Sequence, residues 1–98
     1  MKEFLAQDPN DSFVRHALAL EYVKIGQSAE ARRLFEALLQ HDPGAVGSYY
    51  HLGKLLESMG KPKEALDCYE KGMAAAKAAG EKRAYNELQA ALDDLKED

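Results

Sequence analysis

The 98-residue chain matches itself when displaced by 34 positions, and that period narrows its fold more than any other feature. Asp8-Pro9 falls on Asp42-Pro43, Leu18-Ala19 on Leu52-Gly53, Gly26 on Gly60, and Glu30-Ala31 on Glu64-Ala65. Phe35 falls on Tyr69, Glu36 on Glu70, Ile25 on Met59, and Leu39 on Met73. The coincidences involve small residues, aromatics and turn formers, the types a repeated backbone geometry requires. A unit of this length cannot hide an apolar face alone, so neighbouring units must stack and share one core.

Inside each unit the apolar spacing is helical. Val14, Ala17, Leu18, Leu20, Tyr22 and Ile25 recur at helical steps, and Gly26 closes that helix because glycine accepts a left-handed backbone. Ser28 is placed to cap a second helix carrying Ala31, Leu34, Phe35, Leu38 and Leu39, which Asp42-Pro43 ends. The next unit repeats the plan, with Tyr49, Leu52, Gly53, Leu56 and Met59, the turn glycine Gly60, and Pro62 at a helix start. Ala65, Leu66, Tyr69, Met73 and Ala76 follow on its second helix.

A last helix is expected over roughly 82–96, with Tyr85, Leu88, Ala91, Leu92 and Leu95 on its apolar side. Tyr85, Leu88 and Leu92 echo Tyr49, Leu52 and Leu56 at a shift of 36, so the helix before it is expected to be longer than its counterpart. Glu87, Asp93, Asp94, Lys96 and Glu97 give the last helix a polar outer face, which suits a cap. Phe4 and Leu5 stand 34 positions before Leu38 and Leu39. The expected organisation is one all-α domain: a partial helix over 1–9, a first unit over 12–45, a second over 46–79, and a capping helix over 82–96.

These residues resemble the tetratricopeptide repeat family. Its 34-residue unit is a helical hairpin with an early aromatic, Leu-Gly, a large residue, a turn glycine, Glu-Ala, an aromatic and a closing Asp-Pro. The second unit here reads Tyr49, Leu52-Gly53, Leu56, Gly60, Glu64-Ala65 and Tyr69. The first reads Leu18-Ala19, Tyr22, Gly26, Glu30-Ala31, Phe35 and Asp42-Pro43. Arg15 replaces the early aromatic of the first unit, and Lys77 the closing proline of the second.

The resemblance implies antiparallel hairpins stacked as an α-solenoid, with the first helices lining a concave groove for a partner peptide. By the family's frame the groove positions are Phe13, His16, Leu20, Val23 and Lys24, then Tyr50, Lys54 and Glu57, then Arg83, Asn86 and Ala90. Phe13 and Tyr50 lie beside the apolar stripes and outside them, so both are expected to be exposed. A family subtype clamps a chaperone's terminal carboxylate with lysines, asparagines and an arginine. The matching positions here hold His16, Leu20, His51, Arg83 and Glu87, which do not support a clamp.

Other chemistry is poorly represented. The net charge is −4, and the densest basic pair, Arg32-Arg33, is flanked by Glu30 and Glu36, so a nucleic-acid surface is not expected. Cys68 is the single cysteine and reads as a half-buried filler. His16, His41 and His51 have no short metal spacing, although His16 and His51 fall on neighbouring first helices and can approach. No glycine-rich phosphate loop, signal segment or membrane span is present in the sequence, and a cytoplasmic location is expected. The expected function is a non-catalytic protein-interaction module without cofactor, metal, nucleic-acid or membrane partner. The alternative is a self-associating module or a piece of a longer helical scaffold.

Overall fold

The computed structural model describes residues 12–97, which form five helices and no strand. They are α1 (Ser12–Lys24), α2 (Ser28–His41), α3 (Val46–Ser58), α4 (Pro62–Ala79) and α5 (Lys82–Lys96). The partial helix expected over 1–9 lies outside the described residues.

Three turns share one chemistry. Gly26, Gly60 and Gly80 have φ of 81°, 76° and 73°, a left-handed backbone that a side chain would strain. After α1, the amide of Gln27 reaches back to the Tyr22 carbonyl at 2.8 Å and that of Gly26 to Val23 at 3.1 Å. Lys61 and Gly60 make the same two bonds to Leu56 and Glu57, at 2.9 and 3.0 Å. Glu81 and Gly80 repeat them on Ala76 and Lys77, at 2.9 and 3.2 Å. This pairing satisfies helix-end carbonyls that would otherwise lack partners. The Asp42-Pro43 turn is held differently: the Ser12 hydroxyl donates to Asp42 at 2.8 Å, and the Tyr49 hydroxyl to the Pro43 carbonyl at 2.8 Å.

The turns fold the chain into a zigzag. α1 packs on α2, α3 on α4, and α4 on α5, while α3 also touches α1 and α5. α1, α3 and α5 therefore form one layer and α2 and α4 the other. Phe35, Leu38, Tyr69 and Leu88 are the largest fully buried side chains.

Two glycines let the layers close. A Cβ on Gly53 would lie 2.2 Å from Cε1 of Tyr69, so α3 and α4 meet there without room for a methyl group. The first unit has Ala19 and Phe35 at the equivalent positions, both wholly buried. A Cβ on Gly72 would lie 2.6 Å from Cβ of Tyr49 and 3.0 Å from Cδ1 of Leu88. The first unit has the buried Leu38 at this position, where no α5 presses in.

Several local expectations hold. Gly26 and Gly60 close their helices, Pro62 opens α4, and α4 has 18 residues against 14 for α2. Two need correction. Ser28 is the first residue of α2, with Gln27 at the cap and no side-chain cap bond, while Glu30 supplies the acidic first turn that the helix dipole favours. Ile25, read as part of the core stripe, is 63% exposed because α1 ends before it.

Candidate partner-binding face

Helices α1, α3 and α5 place the groove residues on one layer, and their side chains divide into two sorts. Phe13, Lys24, Lys54, Arg83, Asn86 and Ala90 are exposed. His16, Leu20, Tyr50 and Glu57 are half-buried. Among the described residues the large exposed hydrophobics are Phe13, Val23 and Ile25, all on α1 or in the turn after it.

Tyr50 corrects the expectation of a free aromatic, because its ring packs against the core. The ring centre lies 5.7 Å from that of His51 and 6.5 Å from that of Tyr69, and Lys54 Nζ sits 5.7 Å from it. Glu57 is likewise tied inward: it accepts a short hydrogen bond from the Tyr69 hydroxyl and stands 3.9 Å from Lys54 Nζ. Arg83 pairs with Glu87 at 3.5 Å on an open surface, an arrangement that contributes little energy.

The expected approach of His16 and His51 occurs. Their ring centres are 5.1 Å apart, edge to face. Nδ1 of His16 is 2.7 Å from the hydroxyl of Ser48, a buried α3 residue with no distinctive place in the repeat pattern. Phe35 stacks parallel to His51 at 6.5 Å and meets His16 edge-on at 5.7 Å. Burial, then repulsion from His51, lowers the pKa of His16, and burial lowers that of His51.

A pH dependence of stability follows from those shifts. An unfolded imidazole titrates near pH ~6.5 and the folded ones below it, so the unfolded chain binds more protons in between. The stability contribution of neutral rings is complete above that range and is lost as pH falls through the folded pKa values. Denaturant melts between about pH 7.5 and about pH 4.5 should show this decline. A His16→Gln/His51→Gln variant should show a shallower one, and an equal slope would remove the pair as its source.

Cys68 is not a nucleophile in this setting. It is buried, its thiol donates to the Tyr49 carbonyl at 3.3 Å, and burial, followed by Asp67, pushes its pKa up to about 12. The described residues gather no group of three or more metal-binding side chains, and no helix among them is long and apolar enough to cross a membrane.

The opposite side carries a feature the repeat pattern did not suggest. A cleft of about 640 Å³ separates α2 from α4, with Tyr49, Leu52 and Leu56 of α3 as its floor. Arg32 closes its rim, bonded to Glu36 at 2.9 Å and, by a shorter contact, to Glu64 across the cleft. Arg33 pairs with Glu30 at 3.2 Å, so both arginines of the basic pair have carboxylate partners.

Residues 22–92 match the family model described as tetratricopeptide repeat. The chain is 42% identical to a tetratricopeptide repeat domain protein of Salinibacter ruber in its solution structure, with a TM-score of 0.88 over 91% of this chain and 90% of that one. A Bordetella parapertussis protein of known solution structure is 31% identical, with a TM-score of 0.82 over 96% of this chain and 82% of that one. A TPR repeat-containing protein of Pseudomonas aeruginosa is 25% identical over 88 residues, 90% of this chain and 84% of that protein.

Proposed function

This chain belongs to the tetratricopeptide repeat family, and from that premise we propose that it is a non-catalytic module that holds a segment of a partner protein on the face made by α1, α3 and α5. Proteins of this fold are commonly protein-interaction modules. The observation that carries the reading is that Phe13 and Val23, two of the three large exposed hydrophobics among the described residues, lie on α1, with Phe13 at 73% exposure. Exposed apolar side chains clustered on one element mark an interaction surface more often than a solvated one. The α1–α2 and α3–α4 hairpins are the two repeats in this proposal, α5 is the cap, and the setting is cytoplasmic.

Affinity capture from the native cell, repeated with Tyr50→Ala and with Lys54→Glu, tests the face. Each variant should weaken capture by about tenfold or more, the effect of losing one central contact. Unchanged capture by both would remove this face from the reading.

A second reading, self-association, is supported by Ile25, which stands 63% exposed beside Leu18 and Tyr22. Light scattering over a wide concentration range decides it, since a constant monomer mass excludes it.

A further inference from the structure

We infer that the outer edge of α1 is a dyad interface, on which a second copy of this chain lays its own α1 antiparallel to the first. This rests on the reading of self-association and adds the surface, the symmetry and the limit of the assembly.

Leu18, Tyr22 and Ile25 follow one another at steps of four and three residues, one stripe of a helix. With Glu21 they line a shallow pocket of about 200 Å³. The 34-residue shift sets the stripe on Leu52, Leu56 and Met59, which are covered: Leu52 and Leu56 are buried, and Met59 packs against the core. The reason lies in the neighbours. α3 is flanked by both α2 and α4, whereas α1 has α2 alone from that layer among the described elements. The side of α1 that matches the α2-facing side of α3 is the pocket, and Ile25 stands 63% exposed there.

An apolar edge of a stack is covered either head to tail or like against like. The far end of this stack does not match it. Arg83, Asn86, Glu87, Gln89, Asp93 and Asp94 are exposed on α5, and no large hydrophobic is exposed there. The edge finds its complement in the same edge of another copy, and such a contact closes at two chains.

Charge fixes the direction. Glu21 and Lys24 stand on one flank of the stripe, and neither has an ion-pair partner among the described residues. When two α1 helices cross antiparallel between Glu21 and Tyr22, Leu18 lies opposite the other copy's Ile25. Glu21 then stands about 3 Å along the axis from the other copy's Lys24, within reach of its long side chain, and the pair occurs twice. A parallel crossing would set Glu21 on Glu21 and Lys24 on Lys24, which repel. Contact over two helical turns buries less than the roughly 1,200 Å² of a lasting interface, so the dimer forms and dissociates with concentration. Leu20 lies roughly 160° around α1 from both Leu18 and Tyr22, so pairing leaves the proposed partner face open.

Sedimentation velocity of the full chain from about 1 μM to about 1 mM should show a mass that rises from one chain to two and levels there. Ile25→Glu should weaken the dimer by about tenfold or more. Because Ile25 is exposed and follows the end of α1, circular dichroism should show the helices unchanged. Glu21→Lys and Lys24→Glu should each weaken the dimer severalfold, and the two together should restore it to within a factor of about two. A dimer indifferent to Ile25→Glu, a charge exchange that stays as weak as the single changes, or a mass that climbs past two chains overturns the inference and leaves self-association through another surface standing. A strict monomer at about 1 mM overturns both. If Phe4→Ser/Leu5→Ser then converts that monomer into a dimer, the occupant of the edge is the chain's own segment ahead of α1.

Discussion

Gly53→Ala should destabilise the protein by about 2 kcal/mol, although the same change in an ordinary helix stabilises by up to about 1 kcal/mol. The added methyl group would lie 2.2 Å from Cε1 and 2.7 Å from Cδ1 and Cζ of Tyr69. Tyr69 is wholly buried, and its hydroxyl is bonded to Glu57, so the ring is fixed at both ends. The first repeat shows what makes alanine acceptable: it carries Ala19 at this position, and the counterpart of Tyr69 there is Phe35, a ring with no hydroxyl to anchor it. Tyr69→Phe should therefore recover part of the loss when combined with Gly53→Ala, with a coupling of about 1 kcal/mol in a double-mutant cycle. Urea denaturation of the four proteins measures both numbers. A stabilised Gly53→Ala protein would mean that the ring can slide away and that the contact between α3 and α4 is not rigid.

The same comparison between repeats explains what could be read in advance. Helix ends were legible because Gly26, Gly60, Pro43 and Pro62 act through their own backbone, without help from distant residues. The longer α4 was legible because the echo of Tyr49, Leu52 and Leu56 arrives two residues late. Gly72 was not, although the 34-residue shift sets it on Leu38. Its meaning depends on α5 reaching Tyr49 and Leu88 from elsewhere in the chain, a contact no local pattern contains.

The candidate face divides along the same line. Spacing located His16 and His51 on adjoining helices, and their approach followed from stacking the repeats. Spacing did not reveal that Tyr50 and Glu57 lean into the core, because a long side chain at the edge of a stripe can turn either way. The repeat pattern gives Ser48 no role because a serine inside a helix usually faces water, whereas this one is 2% exposed and bonded to His16.

Leu88→Ala should cost about 3 kcal/mol, a large share of the 5–15 kcal/mol that holds a domain of this size together. Leu88 is 1% exposed and packs at the gap that Gly72 opens between α3, α4 and α5. Removing its branched end leaves a cavity whose other walls are helix backbone and the Tyr49 ring, which cannot collapse to fill it. Because repeats hold only their neighbours, the loss should not be spread evenly. Amides of α5 should lose hydrogen-exchange protection first, those of α4 next, and those of α1 least. Gln89→Ala, one residue along and exposed, should change stability by no more than about 0.5 kcal/mol. Equal loss of protection in all five helices would show that the stack melts as one unit, and the cap would then be an integral part of the core and not a lid on its end.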